Sequence, residues 1–216
     1  MTPRTWYLVR HGETEWNAVS RMQGQLDSRL TPAGREQATA SASLLARLGV
    51  DTVFASPLGR VRETVGILAQ YVPVPVVFDA RLKEWSAGAW SGELLADLPR
   101  KWPLEWKAWQ ADRFTARSPD GEHFGDLEAR ARAFVTDATS VPGERIAIIA
   151  HGFLNRSLAS VLVSLSPAET LRIQQRNDTV IRIVTGVDTP SADHFIGGDG
   201  PIPGLPHYVT AASQSA

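Results

Sequence analysis

The chain has 216 residues, of which 43% are hydrophobic and 21% are charged, and its formal net charge is -1. This length suits one well-packed α/β domain, and the balanced charge excludes a global field that would attract nucleic acid or an anionic membrane. The absence of cysteine excludes disulfides, thiolate chemistry and any zinc site that contains cysteine.

Apolar runs typical of strands alternate with helical patterns along the chain. The strand-like runs lie at 6–9, 52–55, 74–78, 145–150 and 179–184. The helical patterns lie at 32–48, 57–71, 93–112, 124–139 and 152–164. Strands that alternate with helices imply crossover connections, so we expect a three-layer αβα domain of the α/β class with a mostly parallel central sheet.

Two segments are expected to depart from this alternation. The helical segment at about 93–120 is predicted to form a lid, and the tryptophans within it are expected to pack the lid rather than to enclose a substrate. From about residue 186 glycine and proline dominate, which predicts an irregular C-terminal segment. The N-terminal apolar run is too short for a signal peptide, and no run of about 18 apolar residues would span a membrane, so we expect a cytoplasmic protein.

Charged and polar side chains follow the carboxyl ends of the predicted strands, where an open parallel sheet binds its ligands. Arg10 and His11 follow the first strand, and Arg62 lies in the helix after the second. Glu84 lies past the third strand, and His151 ends the fourth. We therefore expect two arginines, two histidines and one glutamate to meet at one edge of the sheet.

These residue types suit phosphate better than a metal ion. Two guanidinium groups form a fork for phosphate or carboxylate, but they would repel a divalent cation that two imidazoles and a carboxylate might otherwise ligate. A neutral imidazole is a competent nucleophile near pH 7, and its attack on a phosphoryl group would form a phosphohistidine. Arg10, Arg62 and His151 can hold the oxygens of the transferred group, while Glu84 can protonate the leaving oxygen.

The segment RHGETEWN (10–17) resembles the signature of the histidine phosphatase superfamily, in the branch that includes phosphoglycerate mutase and many small phosphatases. Further blocks similar to the family follow in family order: RMQGQLDSRLTPAGREQA (21–38), SPLGRVRET (56–64), RLKEWSAGAWSG (81–92), GEHF (121–124) and AHG (150–152). The resemblance covers about residues 5 to 185. It implies a single histidine phosphatase domain over 1–216 with a phosphoglycerate mutase-like fold.

The resemblance also implies a role for each catalytic residue. His11 would accept the phosphoryl group, Glu84 would donate and accept the proton, and Arg10, Arg62 and His151 would complete the phosphate pocket. No cofactor and no metal ion is implied. The implied partner is a small phosphorylated substrate, with no nucleic acid and no membrane, and the sequence does not decide between a monomer and a homodimer.

Three further positions are implied to contact the substrate. Asn17 and Gln23 lie where the family often adds side-chain contacts to the phosphate, and Gly24 would let the backbone approach it. Asn17 can also cap a helix, and the two roles are compatible. Phe153 is larger than the residue that relatives often have after the His-Gly pair, so we expect it to narrow the pocket near the leaving group.

Each catalytic residue also has an ordinary structural interpretation. His11 can be a turn histidine, and His151 can cap a helix. Arg62 can pair with an acidic residue of its own helix, which is the role we expect for Arg60. Glu84 is distinguished from the other glutamates in the matched blocks by its LKE context.

The segment from Gly92 to Gly121 favours a phosphatase over a mutase. Family mutases carry a longer insertion here, with a basic stretch and a proline run, and this chain has neither. A phosphoglycerate mutase-type transferase, a non-catalytic phosphate-binding relative and a metal-dependent hydrolase remain the alternatives. The sequence does not indicate which phosphomonoester is the substrate.

Overall fold

The strand β1 (Arg4–Arg10) runs through the middle of a seven-stranded sheet in the computed structural model, which describes residues 3–207. The other strands are β2 (Thr52–Ala55), β3 (Val76–Phe78), β4 (Arg145–Ala150), β5 (Thr179–Thr185), β6 (Ser191–Ile196) and β7 (Asp199–Pro203). Their order across the sheet is β3-β2-β4-β1-β5-β6-β7. The first four strands along the chain pair in parallel, and β5, β6 and β7 are antiparallel. The predicted α/β class and mostly parallel core are thus confirmed.

Helices cover both faces of the parallel part of the sheet. The helices described are α1 (Glu15–Ala18), α2 (Pro32–Arg47), α3 (Gly59–Leu68), α4 (Leu98–Lys101), α5 (Pro103–Ala111), α6 (Phe124–Ala138), α7 (Gly152–Val163) and α8 (Pro167–Arg172). Of these, α2 and α3 cover one face, and α6 and α7 cover the other. Within residues 3–207, no helix combines the length and the apolar character needed to cross a bilayer.

The alternation of side chains along β1 divides the core into two layers. Trp6 and Leu8 are buried with residues of α6 and α7, whereas Tyr7 and Val9 are buried with residues of α2 and α3. Successive strand residues point to opposite faces, so a strand covered on both faces is apolar throughout. This pattern confirms the predicted three layers.

The prediction of an irregular C-terminal segment is wrong over residues 191–203. There β6 and β7 form a hairpin, with Gly197 and Gly198 at positive φ in the turn. Because β7 is the last strand of the sheet, only one side of its backbone pairs with a neighbouring strand, and such an edge position is where a sheet tolerates proline. Residues 208–216 lie outside the described part of the chain.

The predicted helix at 93–112 is two helices rather than one. Trp102, between α4 and α5, has φ -134° and ψ 64°, which is outside the helical region. Pro103 follows it, and a proline disfavours the helical conformation of the residue before it. The break lets Trp102, Trp106 and Trp109 join Trp85 and Trp90 in a small separate core.

Candidate active site

The turn after β1 positions the imidazole of His11. The ring is buried, with 3% of the residue exposed, and its Nδ1 lies 2.8 Å from the carbonyl oxygen of Gly12. A carbonyl can only accept, so Nδ1 carries the proton and Nε2 keeps a free electron pair. That Nε2 lies 3.1 Å from Nε of Arg60, which donates to it. The geometry therefore gives His11 the tautomer of a nucleophile.

The first turn of α2 packs directly against this turn. A Cβ at Gly12 would lie 2.1 Å from the carbonyl oxygen of Gly34, and a Cβ at Gly34 would lie 2.0 Å from that of Glu13. Both distances are far shorter than two non-bonded atoms allow, so no residue larger than glycine fits at either position. Asn177 completes the turn by donating to the carbonyl of His11 at 2.8 Å.

Arg60, not Arg62, is the arginine of α3 that reaches the site. Its guanidinium is buried and donates to the carbonyls of Leu26 at 2.6 Å and Gly24 at 2.8 Å, and to Asp27 at 2.9 Å. Arg62 is exposed, donates to the carbonyl of Pro57 and covers the ring of a neighbouring aromatic residue. The prediction that Arg62 lies in the phosphate pocket is therefore wrong.

The rotation of α3 about its own axis explains why Arg60 reaches the site and Arg62 does not. Residues two apart on a helix point in nearly opposite directions, so Arg60 and Arg62 cannot both face the sheet edge. The buried face of α3 contains Val61, Thr64 and Leu68, and helical spacing puts Arg60 on it. That apolar spacing was present in the sequence and could have identified the correct arginine.

Arg10 and His151 come from the ends of two adjacent parallel strands. Arg10 donates to the carbonyl of Gln175 at 2.7 Å, while its buried Nε has no hydrogen-bond partner among the described residues. His151 is fully buried at the start of α7, and its Nε2 lies 2.8 Å from the hydroxyl of Ser56. The rings of His11 and His151 meet edge to face, with centroids 5.3 Å apart. These positions agree with the predicted pocket.

Burial and the neighbouring arginines control the charges of the site. Burial, followed by the positive charges of Arg60 and Arg10, holds the pKa of His11 well below its usual value. Burial and Arg60 do the same to the pKa of His151. Burial also lowers the pKa of Arg10 to about 10, although Glu84 opposes the shift. Near neutral pH both imidazoles are therefore uncharged, while Arg10 keeps its positive charge.

Glu84 lies where α7 begins. Its Oε1 accepts from the backbone N–H groups of Trp85 at 2.9 Å and Leu154 at 3.2 Å, and its Oε2 accepts from that of Phe153 at 3.2 Å. The free N–H groups at a helix N-terminus need hydrogen-bond acceptors, which the side-chain oxygens of Glu84 provide. These contacts orient the carboxyl group beside the same cavity as His11.

The cavity between these groups has a volume of about 180 Å³. Its walls are formed by Arg10, His11, Asn17, Arg21, Met22, Gln23, Gly24, Arg60, Glu84, Trp85, Gly152, Phe153 and Arg156. Most of the predicted site residues are in this set. His151 lies behind it, against His11, and Arg62 lies outside it.

The three predicted substrate contacts all line the cavity. Asn17 also caps α1, because its side-chain oxygen accepts from the backbone N–H of Thr14 at 3.2 Å. The side-chain oxygen of Gln23 accepts from Ser28, so its amide N–H groups remain as donors. Gly24 has a φ of +52°, and its carbonyl binds Arg60, so this glycine shapes the loop that holds the arginine.

Six residues of the cavity wall were not predicted to lie there: Arg21, Met22, Arg60, Trp85, Gly152 and Arg156. Arg156 lies one turn after Gly152 in α7, and this helical spacing could have identified it. Phe153 forms one side of the wall, and its ring centroid is 5.5 Å from that of Trp85. In residues 3–207 we find no group of three or more acidic or histidine side chains that could hold a metal ion.

Comparison with known proteins shows the family of the chain. Residues 6–195 match the family model of the histidine phosphatase superfamily (branch 1). The chain is 35% identical over 181 residues to the "Probable phosphoglycerate mutase GpmB" of Shigella dysenteriae serotype 1, which covers 82% of this chain and 83% of that protein.

Two solved structures are also similar. A mycobacterial glucosyl-3-phosphoglycerate phosphatase in complex with VO3 shares 31% identity, with a TM-score of 0.76 over 83% of this chain and 92% of that chain. The α-ribazole phosphatase of Shigella flexneri shares 24% identity, with a TM-score of 0.79 over 86% of this chain and 93% of that chain, and at this identity it supports the fold alone.

Proposed function

Because the chain belongs to the histidine phosphatase superfamily, branch 1, we propose that it is a phosphomonoester phosphatase acting through a phosphohistidine intermediate. The observation that carries the proposal is the tautomer of His11, whose Nδ1 donates to Gly12 while Nε2 faces Arg60 in the cavity. The substrate is a small phosphorylated metabolite, as the cavity of about 180 Å³ suggests.

The first step transfers the phosphoryl group to His11. Arg10 and Arg60 hold the phosphate oxygens by charge-assisted hydrogen bonds. The electron pair of Nε2 forms the N–P bond as the bond between phosphorus and the leaving oxygen breaks. Glu84, in its protonated form, gives its proton to the leaving alcohol.

The second step returns the enzyme to its starting state. A water molecule attacks phosphorus and passes a proton to the carboxylate of Glu84. The N–P bond breaks, its electron pair returns to Nε2 of His11, and inorganic phosphate leaves. The guanidinium groups of Arg10 and Arg60 supply positive charge in both steps, so we propose that no metal ion is needed.

The proposal is tested with a panel of phosphomonoesters assayed in the presence of a chelator. We expect hydrolysis of p-nitrophenyl phosphate and of small alkyl phosphates, and one phosphoryl group trapped on His11 by denaturation during turnover. The label should survive alkali and be lost in acid, as a P–N bond requires, and His11→Ala should abolish both the label and turnover.

Three outcomes would contradict the proposal: complete dependence on added Mg²⁺ or Zn²⁺, a label on another residue, or no turnover of any monoester. Transfer of the label to a second phosphorylated acceptor in preference to water would instead indicate a mutase, the activity in the name of the GpmB relative.

A further inference from the structure

The loop that carries Glu84 has no regular structure of its own. It lies between two short 3-10 helices, Ala80–Leu82 and Gly88–Trp90. A general acid must lie within hydrogen-bond reach of the leaving oxygen, so the backbone beneath its side chain has to be fixed. Contacts from outside the loop must provide this support.

Arg130, in the middle of α6, binds the carbonyls of this loop. Its Nη1 donates to the carbonyl oxygen of Arg81 at 2.6 Å and to that of Lys83 at 3.1 Å. Its Nη2 lies 3.4 Å from the carbonyl oxygen of Glu84 itself. One planar guanidinium thus binds two carbonyls on the N-terminal side of Glu84 and the carbonyl of Glu84 itself, which the single ammonium group of a lysine cannot do in the same way.

Glu122 binds Arg130 and the other side of the loop. Arg130 donates from Nε and Nη2 to the two carboxylate oxygens of Glu122, both at 3.0 Å. The Oε2 of Glu122 also accepts from the backbone N–H of Ser86 at 2.8 Å, and the indole of Trp85 donates to the carbonyl of Glu122. Each side chain of the ion pair is 23% exposed, so the pair is partly shielded from water.

We infer that Arg130 and Glu122 are positioning residues for Glu84, which they hold by binding the loop on both sides of it. This inference rests on the proposed function, since it gives Glu84 the role of the acid. The cavity wall formed by residues 3–207 does not include Arg130 or Glu122, so they act through the loop and not on the substrate. Glu122 is the second residue of the GEHF block (121–124), so the inference also gives this block a role in the site.

Leaving groups that differ in basicity provide the test. Nitrophenolate needs little protonation as it leaves, whereas the alkoxide of glycerol 2-phosphate needs much. We expect Arg130→Ala to lower kcat on glycerol 2-phosphate by about tenfold to a hundredfold and kcat on p-nitrophenyl phosphate by less than about threefold. Glu122→Gln should lower the two kcat values in the same way as Arg130→Ala but by a smaller factor. Arg130→Lys should recover only part of the kcat that Arg130→Ala loses.

Arg132→Ala is the matched control, because Arg132 lies on the same helix and pairs with Glu128 on the exposed surface. We expect it to leave both rates unchanged. Adding Arg130→Ala to Glu84→Ala should cause no further loss on glycerol 2-phosphate, because the residue being positioned is already absent. The folded fraction of each variant is measured by thermal unfolding, and Glu122→Gln decides the question if Arg130→Ala does not fold.

Equal losses on both substrates, or unchanged rates in the folded variants, would overturn the inference while leaving the proposed function intact. Failure of the proposed function would look different, because Glu84→Ala would then not distinguish the two substrates, or the wild-type protein would hydrolyse neither.

Discussion

Arg60 connects the nucleophile to the loop at residues 24–27, since one guanidinium contacts His11, Gly24, Leu26 and Asp27. Removal of one hydrogen-bond donor that stabilises a transition state typically lowers kcat by about 10²–10³-fold. We expect a loss of this size for Arg60→Ala, measured by steady-state hydrolysis of p-nitrophenyl phosphate.

Arg62→Ala is the natural control for this experiment, because Arg62 is on the same helix and points to solvent. Its kcat should stay within about twofold of the wild-type value, since surface substitutions change stability little. A large loss in Arg62→Ala, with Arg60→Ala close to wild type, would show that the arginine of the pocket has been assigned incorrectly.

The sequence allowed the positions of His11, Arg10, Glu84 and His151 to be predicted, because strand ends and short motifs are local features. The choice of Arg62 over Arg60 was wrong because the short block contains both arginines, and the apolar spacing that sets the rotation of α3 was not used to choose between them. Arg130 was missed for another reason. Its partners at residues 81–84 are more than 45 positions away along the chain, and no local pattern indicates such a contact.

The contact between α2 and the turn after β1 gives a prediction at the level of elements. Gly34→Ala would force a methyl group against the backbone of Glu13, so the turn that carries His11 must move. Catalytic groups displaced by about 1 Å commonly lose about a hundredfold in rate. We expect a loss of this order in kcat, together with lower thermal stability, although Gly34 does not line the cavity.

Gly66→Ala is the control for this steric argument. Gly66 lies in α3, and a Cβ there would have no heavy atom within 4 Å beyond its chain neighbours and the backbone of its own helix. Alanine is favoured over glycine in a helix by up to about 1 kcal/mol, so this variant should unfold at a slightly higher temperature with unchanged kcat. Normal turnover in Gly34→Ala would contradict the claim that the packing of α2 positions His11.

The strands at one edge of the sheet were harder to predict than the central strands. Apolar runs identified five of the seven strands of the sheet, but the hairpin of β6 and β7 was missed because its turn and outer strand are rich in glycine and proline. An edge strand tolerates such residues because one side of its backbone needs no partner. Whether a segment lies at an edge is a property of the sheet, which the segment itself does not reveal.

For the molecule as a whole, the order of strands brings the site together. β1 and β4 are adjacent and parallel, with Arg10 opposite Ala150, so the residues that follow them meet although they are 140 positions apart. This convergence buries two histidines in one place, at 3% and 0% exposure. Their burial links the stability of the whole fold to pH.

The free energy of unfolding should therefore fall as the pH drops below about 6.5, the pKa of histidine in an unfolded chain. In the folded protein, burial and the nearby arginines keep the pKa values of His11 and His151 well below this value, so only the unfolded state takes up protons. Above about pH 6.5 neither state is protonated at these residues, and they contribute no pH dependence. Below it, each histidine should lower the free energy of unfolding by about 1.4 kcal/mol per pH unit, or about 2.7 for both.

Urea denaturation between pH 5 and 7.5 measures this slope, in a range above the titration of Asp79 and Asp126, whose pKa values are lowered in the folded protein. His11→Asn removes one of the two groups that take up a proton on unfolding, so it should halve the slope of the free energy of unfolding against pH. Gly66→Ala, which changes no titratable group, should leave it unchanged. A free energy of unfolding that stays constant from pH 6.5 to pH 5 would mean that the folded protein binds these protons as readily as the unfolded chain. That result would contradict the conclusion that His11 and His151 are buried and uncharged beside Arg60 and Arg10.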